Sequence, residues 1–115
     1  VDRVQVGDAE LYTDQCENVF NTHDLVRRSA LVGWTSADSR QEAVIIIQPV
    51  SKEILKNEQE LAELEKDLLE LASQYKETEK IKRVLFKDGF PVDVRHNAKI
   101  KREILTEWAD SVLKI

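Results

Sequence analysis

Ala43-Val44-Ile45-Ile46-Ile47-Gln48-Pro49 holds four consecutive β-branched residues between a small residue and a polar one. Such a run fits a strand covered on both faces, where every side chain packs and none needs water. Pro49 has no amide proton to continue a ladder, so the strand stops there. Upstream, Thr35 to Arg40 is polar and short-chained, as a loop requires, and Ser29 to Trp34 reads as a second strand. Two strands joined by so short a connection are antiparallel neighbours.

Downstream, Ser51 is placed to cap a helix. From Lys52 to about Lys80 the pattern changes to a helical one: Ile54, Leu61, Leu68 and Tyr75 recur every seven residues, with Leu64 and Leu71 between them and no Gly or Pro to interrupt. The spacing predicts one long helix with an apolar stripe. Arg83 to Lys87, centred on Val84-Leu85-Phe86, reads as a strand, broken by Asp88-Gly89-Phe90-Pro91. A last helix is predicted from about Asn97, a good cap residue, carrying Ile100, Ile104, Trp108 and Val112 at i, i+4 steps.

At the other end, Val4 and Val6 alternate with polar neighbours, Gly7-Asp8 has turn chemistry, and Leu11-Tyr12 follows, giving a β-hairpin. Thr13 then caps a short helix with Cys16, Val19 and Phe20 on one face, ending between Asn21 and Asp24. The expected architecture is α+β: a small mixed sheet with an N-terminal β-hairpin, covered by three helices in the order ββ-α-β-β-α-β-α. The length of 115 residues fits one domain, residues 1–115.

The chain has 22 acidic against 17 basic residues, a formal net charge of −5, which disfavours a nucleic-acid or anionic-membrane footprint. The basic clusters Lys80-Lys82-Arg83 and Lys99-Lys101-Arg102 are interrupted by apolar residues and read as solvated faces. No apolar run approaches the about 18 residues of a membrane span. One cysteine cannot form an internal disulfide, so a reducing cytoplasm is the natural setting. Cys16 lies on an apolar helix face and reads as a small buried hydrophobe. His23, His96 and Cys16 have no partners at ligand spacing, so no metal site is expected. Methionine is absent even at position 1, as in a piece of a longer protein or a processed one.

The stretch with most chemistry is Phe90-Pro91-Val92-Asp93-Val94-Arg95-His96-Asn97-Ala98-Lys99-Ile100. It is a donor-rich loop that, on this reading, delivers Lys99 into the first turn of the last helix. A cation is disfavoured beside the positive end of a helix dipole, and together the two make a site for an anion such as phosphate. The plain alternative is that Lys99 is a solvated helix residue.

This stretch resembles the last conserved motif of the AMP-forming ligase superfamily, which includes acyl-CoA synthetases, luciferases and adenylation domains. There a proline-containing loop and a Ser/Thr-Gly pair precede a lysine and an aliphatic residue, places held here by Asn97-Ala98-Lys99-Ile100. Asp2-Arg3-Val4-Gln5-Val6-Gly7, Leu11-Tyr12-Thr13 and Cys16-Glu17 resemble the family's hinge-proximal motif, a hairpin leading into a short helix that bears Glu. Ser29-Ala30-Leu31-Val32-Gly33 sits where the family carries a V-x-x-A-x-V-like strand. Ala98 in place of glycine and Asn97 in place of Ser or Thr depart from the pattern. The wording is similar to a subgroup acting on long-chain or β-hydroxy acids, including the β-lactone synthetases of olefin biosynthesis.

The resemblance implies the C-terminal lid domain of an enzyme whose large N-terminal domain binds ATP, most of its Mg and the acid. It implies that Lys99 is the catalytic lysine of acyl-adenylate formation and that Arg95, His96, Asn97 and Ala98 form the substrate- and ATP-binding loop. It also implies a hinge at Val1 or Asp2, and an acceptor-side loop at Gly7, Asp8, Ala9 and Glu10 facing CoA or another second reactant. The fragment alone is expected to be inactive and monomeric. Thioester formation with CoA is the first expectation for the second step, with intramolecular β-lactone formation as the alternative. A reading of another class makes the chain a helical interaction module that dimerises through Ile54, Leu61, Leu68 and Tyr75.

Overall fold

A computed structural model describes residues 3–36, 38–90, 92–93, 99–100 and 102–113, the pairs 92–93 and 99–100 by their backbone. The β-branched run lies in the middle of a three-stranded sheet. Strand β3 (Val26–Thr35) pairs antiparallel with β4 (Gln41–Pro49), Ala30 opposite Ile46, and β4 pairs parallel with β5 (Arg83–Phe86), Val44 opposite Arg83. The sheet is therefore mixed, as expected. Pro49 ends β4 as the pairing partner of Val26. Val44 to Ile47 are all 0% exposed, which requires cover on both faces. Ile45 and Ile47 pack with Leu31 and Ala43 into the larger core, while Val44 and Ile46 pack with Ala30 and Val32 into a second one.

The larger core is closed by the N-terminal hairpin and the helices. Strands β1 (Arg3–Val6) and β2 (Ala9–Tyr12) pair antiparallel, with Val6 opposite Ala9 across the Gly7-Asp8 turn. Gly7 has φ +58, a left-handed conformation that a side chain would strain, so glycine is required there. Val4 and Leu11 face inward to meet Cys16 and Phe20 of α1 (Thr13–Phe20). The residue before α1 is Tyr12, in extended conformation, and Thr13 is its first helical residue, 2% exposed, rather than its cap.

A parallel β4–β5 pair needs a crossover, and residues 50–82 provide it. They form two helices instead of the one expected. Ser51 caps α2 (Lys52–Leu55), accepting from the Glu53 amide at 3.1 Å. Asn57 then caps α3 (Glu58–Ser73), accepting from the amides of Gln59 and Glu60, each at 3.1 Å. An asparagine side chain that satisfies two first-turn donors favours a new start over helix continuation. The stripe is split accordingly. Leu64, Leu68 and Ala72 are buried at i, i+4 steps, Leu61 is half-buried, and Tyr75 lies beyond the helix, 45% exposed. The surface that the interaction-module reading needed is thus mostly core.

Beyond α3 the chain turns. The Thr78 hydroxyl donates to the Ala72 carbonyl at 2.7 Å, and the Cys16 thiol donates to the Glu77 carbonyl at 3.0 Å. The second core is closed by the last helix, α4 (Arg102–Leu113), through Leu105 and Ala109, with Trp108 and Leu113 against it. Among the described residues there are four helices, not three, and a further two-stranded ladder of β6 (Val92–Asp93) and β7 (Lys99–Ile100).

Candidate functional site

Strands β6 and β7 run antiparallel, with Asp93 opposite Lys99 and Val92 opposite Ile100. The backbone of Lys99 is therefore strand, and α4 begins three residues later at Arg102. This corrects the expected helix start near Asn97 and removes the argument from a helix dipole at Lys99. The i, i+4 series misled because only part of it is helical: Ile100 belongs to β7, while Ile104 and Val112 are 43% and 50% exposed. The buried face of α4 runs instead through Leu105 and Ala109. Arg95, His96, Asn97, Ala98 and the hinge residue Asp2 lie outside the described residues.

Arg102, read from sequence as part of a solvated basic cluster, is largely buried. Its guanidinium forks onto Glu17 of α1, Nη2 donating to Oε1 at 3.0 Å and Nη1 to Oε2, and Nη1 also reaches the Leu31 carbonyl at 3.4 Å. Glu17 Oε2 in turn accepts the Leu31 amide at 2.8 Å. Leu31 lies on β3, at the end of the sheet order, so the pair satisfies main-chain groups on an open strand edge. The Ser29 hydroxyl lies 2.8 Å from Asn21 Oδ1 and 3.3 Å from the Glu17 carbonyl, fastening α1 to the same strand. Composition gave no hint of this clamp, because its two ends are 85 residues apart.

The hairpin turn borders an open cleft of about 600 Å³, lined by Gly7, Thr35, Arg40, Glu42, Lys80 and Lys82. Three cations against one carboxylate give this mouth a positive bias. Asp8, Ala9 and Glu10 continue the turn into β2, where Glu10 pairs with Arg3 at 3.3 Å on the surface. Next to the cleft, the Arg83 guanidinium stacks over Trp34 at 4.7 Å and bonds Glu42 at 3.0 Å.

Cys16 is 0% exposed, and burial first, then the charges of Glu17 and Glu77, pushes its thiol up to about 11. It is a packed, protonated side chain with no nucleophilic character at neutral pH. A consequence is testable on the isolated chain. The unfolded thiol ionises from about its ordinary 9.0, the folded one only near 11. The stability present below pH 9 is therefore lost as the pH rises through 11, by on the order of 2–3 kcal/mol. Urea midpoints at pH 8 and pH 11 should differ for the native chain, and the part of the difference due to this thiol should vanish in Cys16→Ala. His23 Nδ1 accepts the Leu25 amide at 3.1 Å, which leaves Nε2 toward Asp67 at 3.8 Å. Among the described residues no group of three or more His, Cys, Asp or Glu is placed to hold a metal ion, and no helix is long and apolar enough to cross a membrane.

Two curated proteins match the chain across nearly its whole length. It is 41% identical over 109 residues to an olefin β-lactone synthetase of Xanthomonas campestris pv. campestris, covering 93% of this chain and 18% of that one. It is 36% identical over 112 residues to an olefin β-lactone synthetase of Stenotrophomonas maltophilia, covering 97% and 19%. Among solved structures, an anthranilate CoA ligase in complex with anthranoyl-AMP superposes with a TM-score of 0.79 at 16% identity, covering 99% of this chain and 21% of the other. The chain thus resembles part of these synthetases in sequence and part of a CoA ligase in fold. No protein-family model matches it. The chain spans less than a fifth of the length of the two curated proteins. Its fold, hairpin and short helix at one end and the lysine-bearing β7 with α4 at the other, is shared with about a fifth of that CoA ligase.

Proposed function

We propose that the chain is the C-terminal lid domain of an ATP-dependent ligase that turns a long-chain β-hydroxy acid into a β-lactone. The observation that carries this choice of acceptor is the 41% identity to an olefin β-lactone synthetase over 93% of the chain. In the first step a carboxylate oxygen attacks the α-phosphorus of ATP, the α–β phosphoanhydride bond breaks, and pyrophosphate leaves. Lys99 supplies an ammonium that draws the two anions together and offsets charge growing on the phosphoryl oxygens. In the second step the substrate's own β-hydroxyl attacks the acyl carbon, its proton is lost, and AMP departs with the bond to the acyl carbon broken. ATP, Mg and the acid are held mainly by a large N-terminal domain, with residues 95–98 closing over the nucleotide.

The competing acyl-CoA reading shares the first step and differs in the second, where the CoA thiol replaces the β-hydroxyl. The positive cleft beside Gly7, with Arg40, Lys80 and Lys82, supports an anionic second reactant and is the observation in its favour. The deciding experiment gives the parent protein ATP and a β-hydroxy fatty acid without CoA. AMP and β-lactone in equal amounts are expected. AMP release that depends on added CoA would overturn the lactone reading and leave the adenylate-forming one.

A further inference from the structure

We propose that the buried Glu17–Arg102 pair is a positioning device for Lys99, an inference that rests on the role given to Lys99 above. Arg102 follows Lys99 by three residues, which span at most about 10 Å of extended chain. On its upstream side the Lys99 backbone is paired with Asp93. On its downstream side Arg102 is anchored in the fold by a bidentate fork onto Glu17, with a third contact to the Leu31 carbonyl. Glu17 is itself fixed from two directions, by its place in α1 and by the Leu31 amide at 2.8 Å. The carboxylate and guanidinium side chains are only 10% and 22% exposed, so solvent screens the pair weakly.

The elements joined are informative. Glu17 belongs to the helix that follows the hairpin, and Arg102 opens the helix that follows the lysine. One ion pair thus sets the lysine-bearing segment against the hairpin and against the sheet edge at once. The planar fork of arginine bridges two carboxylate oxygens and a carbonyl, whereas a lysine ammonium is a point charge that cannot hold all three directions. Misplacing a catalytic group by about 1 Å costs on the order of 100-fold in rate. A pair that only stabilised the domain would affect every step alike.

A double-mutant cycle on the full-length parent protein separates the two roles. Carboxylate-dependent ATP–pyrophosphate exchange is measured for the wild type, Lys99→Ala, Arg102→Lys and the double variant, with melting temperature as the check on folding. Arg102→Lys is expected to lose about 10- to 100-fold in exchange, and to lose nothing further in the Lys99→Ala background, because its effect passes through that lysine. Losses that multiply in the double variant would overturn the positioning role while leaving Lys99 catalytic. Unchanged exchange in Lys99→Ala alone would instead sink the reading of Lys99, and the positioning role with it. Glu17→Gln, which keeps an acceptor for the Leu31 amide, carries the same cycle if Arg102→Lys does not fold, with the same outcomes deciding.

Discussion

Replacing Lys99 with alanine in the full-length protein should lower carboxylate-dependent ATP–pyrophosphate exchange by about 100- to 1000-fold, roughly 3–4 kcal/mol of transition-state stabilisation. The loss should fall on kcat more than on the KM for ATP, because the ammonium is worth most while charge builds on the phosphoryl oxygens. The melting temperature should hardly move: Lys99 lies on a two-residue strand whose pairing with Asp93 is made by the backbone. Lactone formation from a preformed acyl-adenylate should survive the substitution, since that step needs no approach of two anions. Retained exchange would leave Lys99 a bystander. Loss of both steps together would point to a damaged domain rather than a missing ammonium.

Leu68→Lys should unfold the isolated chain, or cost it more than 4 kcal/mol, read as the urea midpoint by circular dichroism. Leu68 is 0% exposed and touches the core beneath the sheet. Truncating such a leucine alone costs about 2–5 kcal/mol, and the new ammonium must either be desolvated or give up its proton. Leu61→Lys, one heptad earlier but half-buried, should cost far less, about 1 kcal/mol. A partner-binding stripe predicts a different result: both variants would remain folded and merely lose a dimer, visible as a fall in mass by light scattering. The contrast between the two positions is what decides, because periodicity places them on the same stripe and only packing sets them apart.

The acceptor is a separate matter from the fold. Residues of the hairpin and the cleft beside it, Gly7, Arg40, Lys80 and Lys82, lie together although they come from three stretches of sequence. Sequence singled out Gly7 through its turn chemistry and read Lys80 and Lys82 as solvated, which their exposure bears out. That they share one cleft depends on the β3–β4 register and on where the crossover from α3 ends, neither of which a pattern of residue types encodes.

Elements carried by local chemistry were legible in the sequence. Residues 44–47 announced a doubly covered strand because four β-branched side chains in a row have no polar face to turn to water. The Gly7-Asp8 hairpin and the Ser51 cap followed from groups that act within a few residues of themselves. Periodicity also placed a helix from residue 52 to about residue 80 and strands at residues 29–34 and 83–87, where the structure has helices Lys52–Leu55 and Glu58–Ser73 and strands Val26–Thr35 and Arg83–Phe86. The break at Asn57 was harder, since one side chain's hydrogen bonds had to outweigh an unbroken apolar rhythm. Two features needed the folded chain. Pairing of Lys99 with Asp93 drew the lysine out of the last helix and into a strand, because a ladder between residues 92–93 and 99–100 is set by cross-strand pairing and not by local periodicity. The Glu17–Arg102 clamp joins charges that look like two ordinary surface residues until folding buries both against the edge of β3, where low exposure and a fixed fork make the pair matter.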